Sequence, residues 1–196
     1  MLVMTSAAND RLTVAEPEAV LLLRAAAGDA LAFRDLARLL ARPSLALAIR
    51  VLGDHALAED AVQEALSKLW REAGRFDPER GSFGGWWRRI LMNSALDGRR
   101  RMRPTTALDD AVDLRDPSPD PSESAEAADL SARVQAAAAG LPARQRAALS
   151  LFYGEGLTMA EIGEALEASE KAVEGLLLRG RTALKETLGE LKDALT

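Results

Sequence analysis

The stretch TMAEIGEALEASEKAVEGLLLRGRTAL, residues 158–184, carries the clearest structural signal in the chain. Thr158 can cap a short helix, and Glu161 three residues later completes a capping box. Residues 167–169 then form a tight turn, in which Ser169 is placed to cap a second helix. Two short helices joined by such a turn make a helix-turn-helix. We expect the second helix to pack inward through residues at helical spacing, namely Val173, Leu177, Gly180, Leu184 and Leu188.

The outer face of this second helix is a candidate DNA-binding surface, because the start of that helix enters the major groove in DNA-binding proteins. Its predicted exposed residues are Lys171, Ala172, Glu174, Gly175, Leu178, Arg179 and Arg181. Glu174 can accept a hydrogen bond from a cytosine amino group. Glu170 and Glu174 would also lie near phosphates and repel them. An ordinary helical hairpin with a solvated face therefore remains an alternative at this point.

A second signal lies upstream, in GSFGGWWRRILMNSALDGRRRMR, residues 81–103. Successive helical residues turn by about 100°, which groups Trp87, Ile90, Leu91 and Ser94 on one face that we assign to the core. Another face holds Trp86, Arg89, Asn93 and Arg100. An aromatic plane, cations and an amide suit unpaired DNA, whose bases stack on aromatic rings. Four arginines then give the helix a basic end for phosphates: Arg99, Arg100, Arg101 and Arg103. The alternative is a core face beside a solvated surface.

The remaining segments also have helical periodicity, so the sequence predicts an all-α fold. Asp29 can cap a helix that follows residue 29, and Pro43 suits the first turn of a separate helix that reaches residue 52. A further helix is expected over residues 58–73, followed by a glycine-rich loop over residues 74–85. The residues of this helix that are predicted to face the core are Val62, Ala65, Leu66, Leu69 and Trp70.

Composition divides the 196 residues into two small domains. The net charge of −5 is uneven, at +3 over residues 1–103, −7 over 104–132 and −1 over 133–196. The acidic, proline-rich segment cannot bury enough apolar surface to fold alone. We therefore predict a flexible N-terminus at 1–17, a helical domain at 18–103, a linker at 104–129 and the helix-turn-helix domain at 130–196.

The sequence lacks the residues that several classes of function require. The chain has no cysteine and one histidine, His55 in a short polar turn, which disfavours thiol chemistry and metal sites. No glycine-rich phosphate loop or activated nucleophile appears, so we expect neither an enzyme nor a cofactor. No apolar run of about 18 residues or signal peptide is visible. We expect a soluble, cytoplasmic protein.

Four blocks of sequence, in this order and spacing, resemble extracytoplasmic-function sigma factors. The blocks are GDALAF (28–33), AEDAVQEALSKLW (58–70), FDPERGSFGGWWRRILMNSALDGRRR (76–101) and LPARQRAALSLFYGEGLTMAEIGEALEASEKAVEGLLLRGRTALKETL (141–188). The resemblance covers about four fifths of the chain, missing only the N-terminal tail and the linker. It implies a promoter-binding subunit of RNA polymerase, with a region 2-like and a region 4-like domain.

The resemblance also implies roles for individual residues. Asp60, Gln63 and Glu64 match positions that dock on the clamp helices of the largest polymerase subunit, and the flap is a further expected contact. The first domain would recognise and melt the −10 element, and its expected contacts are Trp86, Arg88, Arg89, Asn93, Arg99, Arg100 and Arg101. The second domain would read the −35 element, and its expected contacts are Thr158, Ser169, Lys171, Ala172, Glu174, Arg179 and Arg181.

The recognition helix departs from the family at Glu174, Leu176 and Leu178, where polar or basic residues are common. The resemblance implies an anti-sigma factor as regulator, which would hold the two domains closed, and a role in a stress or envelope response. The alternative is a sigma-like decoy that binds an anti-sigma factor without binding DNA. The acidic balance and the altered recognition helix motivate that alternative.

Overall fold

The computed structural model describes residues 17–102, 133–134 and 136–194. Helices α1 to α4 form the first domain, and the second contains α5 to α7, which follow helical residues at 133–134 and 136–139. Their bounds are α1 Pro17–Ala26, α2 Ala30–Leu52, α3 His55–Glu72, α4 Phe83–Met102, α5 Ala143–Leu149, α6 Met159–Leu166 and α7 Glu170–Ala194. A 3-10 turn, Ala73–Arg75, follows α3, and a π-helical turn, Ser150–Gly154, follows α5. The predicted all-α fold is confirmed.

Aspartate side chains cap the starts of α2 and α3, and the cap by Asp29 is as predicted. The Asp29 carboxylate accepts hydrogen bonds from the Leu31 and Ala32 backbone N–H groups at 3.1 and 3.0 Å. The Ala32 N–H and then the Arg24 guanidinium, 2.6 Å away, hold the pKa of Asp29 below its ordinary value of 3.8. Asp54 caps α3 in the same way, by accepting from the Leu57 N–H at 2.8 Å.

Pro43 lies inside α2 and does not begin a separate helix, so the predicted break before it is wrong. A proline inside a helix removes one backbone hydrogen bond and crowds the preceding turn. Leu36 and Leu40 before it and Leu47 after it are nevertheless buried in one core. Packing on both sides of the proline therefore outweighs its local cost. The helix ends at Gly53, whose φ of 72° suits glycine.

The core of the first domain follows the helical phase predicted for α4. Trp87 is 5% exposed, and its indole N–H donates a 3.0 Å hydrogen bond to the buried Ser44 hydroxyl. Ile90, Leu91 and Ser94 are buried as well. Trp70, in contrast, was assigned to the core but is 44% exposed and packs its ring against Phe33, 4.8 Å between centroids.

The second domain confirms the predicted helix-turn-helix. Thr158 and Glu161 form the capping box, and the Ser169 hydroxyl accepts from the Ala172 N–H at 3.2 Å. Glu167 ends α6 with a φ of 49°, a conformation that is uncommon for a residue with a side chain. A Cβ atom on Gly163 would lie 2.7 Å from the Ala168 carbonyl oxygen, so glycine permits the tight turn. Ile162 and Leu166 are buried, whereas Ala160 is exposed.

The two domains pack against each other, and one cluster of buried apolar side chains extends through both. Helix α4 contacts α6, and α2 contacts α5. Within the described ranges, none of the helices combines the length and apolar character needed to cross a membrane. The predicted linker at 104–129 and residues 1–16 of the predicted N-terminal segment lie outside the described residues.

Candidate nucleic-acid interface

The first candidate surface is a pocket on α4, which we call the α4 pocket and whose lining includes Trp86, Arg89, Asn93 and Lys68 together with the carboxylate of Glu72. The Trp86 ring lies 5.4 Å from that of Phe76, between centroids, which fixes its orientation. Trp86 and Asn93 are half-buried, and Arg89 is exposed. The structure thus brings together the aromatic plane, cation and amide that the sequence placed on one face. Such a pocket can stack a base and bind its polar edge.

The α4 pocket also contains a residue from the second domain. Glu167, in the turn of the helix-turn-helix, accepts a 3.2 Å hydrogen bond from the Asn93 side-chain N–H. Asp97 lines the pocket as well. No local sequence pattern predicts the Glu167 contact, because 74 residues separate its two partners.

The other basic residues predicted on α4 are not part of this pocket. Arg88 points to a different side, where its guanidinium lies 3.2 Å from the position of a Cβ on Gly84, and it lines a cavity together with Trp87. The side chains of Arg99, Arg100 and Arg101 lie outside the described residues. Their contacts with phosphates therefore stay predictions.

The second candidate surface is the outer face of α7. Lys171, Ala172 and Glu174 are exposed there, as predicted. Arg179 is exposed and folds back over Gly175, where a Cβ would lie 3.2 Å from its guanidinium. Leu178 is 63% exposed, an unusual position for a large apolar side chain.

Three residues predicted as DNA contacts on the second domain have structural partners. Thr158 and Ser169 are helix caps, and their hydroxyl groups bond to the local backbone. The guanidinium of Arg181 lies over the rings of Phe152 and Tyr153, 5.4 and 5.6 Å from their centroids. A cation in that position is held by the aromatic faces. These residues shape the second domain, whichever contacts they add with DNA.

The third candidate surface is the outer face of α3. Asp60 and Gln63 are exposed. Glu64 lies 3.2 Å from the ammonium of Lys68, which also donates to the Ser94 hydroxyl at 3.2 Å. The bond to the buried Ser94 hydroxyl draws Lys68 toward the core of the first domain. Among the described residues, no group of three or more His, Cys, Asp or Glu side chains is placed so that it could hold a metal ion.

Both domains of this chain are similar to families of known proteins. The Sigma-70 region 2 family matches residues 33–105, and the Sigma-70, region 4 family matches residues 131–184. The ECF RNA polymerase sigma factor SigM of Mycobacterium tuberculosis is 33% identical over 176 residues, which cover 89% of this chain and 86% of SigM. The chain belongs to the extracytoplasmic-function sigma factors.

Two further likenesses agree with this family. The sigma factor SigE of Mycolicibacterium smegmatis is 36% identical over 149 residues, which cover 74% of this chain but only 56% of SigE. A solved structure of CnrH in complex with the cytosolic domain of CnrY is 29% identical. Its TM-score is 0.61, and the match covers 89% of this chain and 99% of CnrH. Sigma region 2 therefore comprises α2 to α4, and sigma region 4 comprises α5 to α7.

One of the three residues at which region 4 differs from the family, Leu176, has a role in packing. Leu176 is half-buried and packs against the apolar cluster. A side chain in that position supports the domain and offers little to DNA. Glu174 and Leu178 are exposed, so they alone change the chemistry of the outer face.

Proposed function

We propose that this protein directs RNA polymerase to specific promoters and helps to open them, without chemistry of its own. The observation that carries the proposal is that sigma regions 2 and 4 occur in one chain and in that order. The α4 pocket in the first region and the helix-turn-helix in the second support it. The phosphodiester chemistry would belong to the polymerase. The protein would therefore act in the cytoplasm, together with the polymerase and the DNA.

Region 2 would open the −10 element by capturing a base that has left the duplex. Removing a base from the stack costs a few kcal/mol, which a fitted pocket can offset. Trp86 offers a stacking surface that Phe76 supports, and Asn93 offers an amide for the edge of the base. Arg89 would hold the neighbouring phosphate, and the basic end of α4 would extend that contact through Arg99, Arg100 and Arg101.

Region 4 would read the −35 element as a duplex through the start of α7. Lys171 and Arg179 are exposed cations that can bind phosphates. Glu174 can accept from a cytosine amino group, and the exposed Leu178 can contact a thymine methyl group. The two departures from the family therefore favour a pyrimidine-containing strand in the −35 element.

The exposed polar face of α3 would dock on the polymerase. Asp60 and Gln63 are exposed, and Glu64 lies on the same helix with its carboxylate 3.2 Å from the Lys68 ammonium. The family resemblance assigns these positions to the clamp helices and adds the flap as a further expected contact. A regulator of the anti-sigma type, acting in a stress or envelope response, completes the proposal. CnrH, a relative of similar fold, was solved with a second protein bound.

Run-off transcription tests this function. Purified protein is added to core RNA polymerase on fragmented DNA from the organism that encodes the chain. We expect discrete new transcripts whose start sites share two short elements, about one and a half to two helical turns apart. No transcripts and no binding to core polymerase would contradict the proposal and favour the decoy alternative.

Two variants separate docking from promoter opening. Asp60→Arg should lower the affinity for core polymerase at least tenfold, because it reverses a charge on the docking face. Glu186→Arg, a matched reversal on α7, should leave that affinity unchanged.

Asn93→Ala should keep core binding but slow opening of a double-stranded promoter, measured by permanganate reactivity of unpaired thymines. Wild-type opening by this variant would contradict the assigned role of Asn93.

A further inference from the structure

The contact between the two sigma regions centres on a buried arginine. Arg146, in α5 of region 4, is 2% exposed. Its guanidinium donates to the carbonyl oxygens of Val51 and Leu52, at 2.7 and 3.1 Å, in the last turn of α2 in region 2. It also donates to the Ala139 carbonyl oxygen within region 4. One side chain thus joins the end of a region 2 helix to region 4.

The chemistry of this contact favours reversible closure. The last carbonyl groups of a helix lack partners within the helix and carry the negative end of its dipole. A guanidinium is a suitable cap for them, because its several N–H groups donate in one plane. Water can solvate both the carbonyls and the cation when the domains part. The contact therefore stabilises the closed arrangement without making separation prohibitive.

Two further polar contacts join the regions, and in both region 4 supplies a carboxylate. Glu155 lies 2.7 Å from the guanidinium of Arg50, with both side chains partly exposed. Glu167 accepts from Asn93 inside the α4 pocket. The Glu164 carboxylate faces the start of α4, 3.8 Å from the position of a Cβ on Gly85. Of these carboxylates, Glu167 lies in the α4 pocket and Glu164 lies beside the start of α4, whereas Glu155 joins the regions at the end of α2.

We propose that region 4 shields the α4 pocket in the free protein, with Arg146 as the anchor and Glu167 as the group that occupies the pocket. This inference rests on the proposed function, since it concerns how the same DNA site is regulated. The chain holds itself closed through its own residues, so a closed state does not require a partner. Single-stranded DNA and Glu167 compete for Asn93, and only one of them can occupy the pocket.

The first test measures closure directly. The sequence has no cysteine, so Leu39→Cys on α2 and Lys185→Cys on α7 allow two dyes to be placed for energy transfer in the full chain. We expect high transfer at low salt and a progressive loss as salt screens the ion pair. Arg50→Glu should lower the transfer, and adding Glu155→Arg in the same chain should restore it. Low transfer in the unsubstituted background at low salt would overturn the proposal.

The second test measures shielding. Glu167→Gly removes the carboxylate and suits the positive φ at this position, so the fold is retained. A fluorescein-labelled single strand of 12 random nucleotides serves as the probe. We expect this variant to bind the probe about tenfold more tightly than wild type, because the α4 pocket is open. Glu186→Gln, which removes the same charge from a distant site on α7, should change the affinity less than twofold.

The combined outcomes distinguish this inference from the proposed function. Equal probe affinity of Glu167→Gly and wild type would overturn shielding, even where run-off transcription succeeds. Loss of both core binding and transcription in wild type would overturn the proposed function, even where energy transfer reports a closed chain. Higher probe affinity together with normal core binding would support both.

Discussion

At the scale of single residues, the three tryptophans show how their surroundings set their roles. Trp87 is buried and hydrogen-bonded to Ser44, Trp86 is half-buried against Phe76, and Trp70 is 44% exposed. Helical periodicity in the sequence separated Trp86 from Trp87 correctly. It placed Trp70 among the residues that face the core, whereas in the structure Trp70 is partly exposed and its ring packs against Phe33. Helical periodicity predicts which residues share a face of a helix. It does not predict whether a neighbouring element covers a residue at the edge of that face.

The hydrogen bond of Trp87 leads to a prediction for stability. Trp87→Phe removes the donor to Ser44 and leaves unfilled volume in the core. We expect the free energy of unfolding to fall by about 2 kcal/mol, measured by urea denaturation followed by circular dichroism. Trp70→Phe is the matched control and should change it by less than about 0.5 kcal/mol. Similar losses in both variants would contradict the different roles of these two residues.

The lowered pKa of Asp29 leads to a prediction for pH dependence. Since the folded pKa lies below 3.8, the charged cap stabilises the fold above about pH 4 and loses this effect as the pH falls through the folded pKa. Asp29→Asn keeps an acceptor but cannot titrate. We expect the melting temperature of wild type to exceed that of the variant by a constant amount between about pH 5 and 7 and by less below about pH 4. A difference that stays constant down to about pH 3 would contradict this assignment.

At the scale of elements, turn chemistry was well encoded in the sequence. The capping residues Asp29, Thr158 and Ser169 begin helices where they were predicted to. Pro43 was misleading, because its local preference for a helix start is outweighed by burial of residues on both sides in α2. Local signals therefore identify helix ends reliably where no tertiary packing competes with them.

The helix-turn-helix gives a prediction at the scale of elements. Gly163→Ala would place a Cβ atom 2.7 Å from the Ala168 carbonyl oxygen, which belongs to the backbone of the turn. We expect a loss of about 1 to 3 kcal/mol in the free energy of unfolding, with weaker duplex binding. Gly189→Ala on α7 meets nothing within 4 Å and should stabilise by about 0.5 to 1 kcal/mol. A neutral Gly163→Ala variant would contradict the close approach in the turn.

At the scale of the whole molecule, the sequence specified both domains but not their arrangement. The partners in the main contacts between them are separated by 74 to 105 residues: Asn93 with Glu167, Arg146 with the end of α2, and Arg50 with Glu155. Such pairs leave no periodic pattern. Arg146 in particular reads as a surface cation beside Arg144 in the sequence, and only the packing of α5 on α2 buries it.

The continuous apolar cluster leads to a prediction for unfolding of the whole molecule. All three tryptophans lie in region 2, so their fluorescence reports on that region, whereas far-ultraviolet circular dichroism reports on both. Because buried side chains connect the regions, we expect the two signals to give the same urea midpoint at low salt. Arg50→Glu should separate the midpoints by loosening the contact. Separate midpoints in wild type at low salt would contradict a single cooperative unit.

The anchor between the domains has a consequence for how it evolves. Arg146 binds the backbone oxygens of residues 51 and 52, and every amino acid presents the same oxygen there. Mutation of Val51 or Leu52 therefore leaves the acceptors in place, and no compensating change at Arg146 is required. Correlated substitutions between aligned sequences would not mark this junction. Its trace in a family would be a single invariant arginine, with no covarying position to match it.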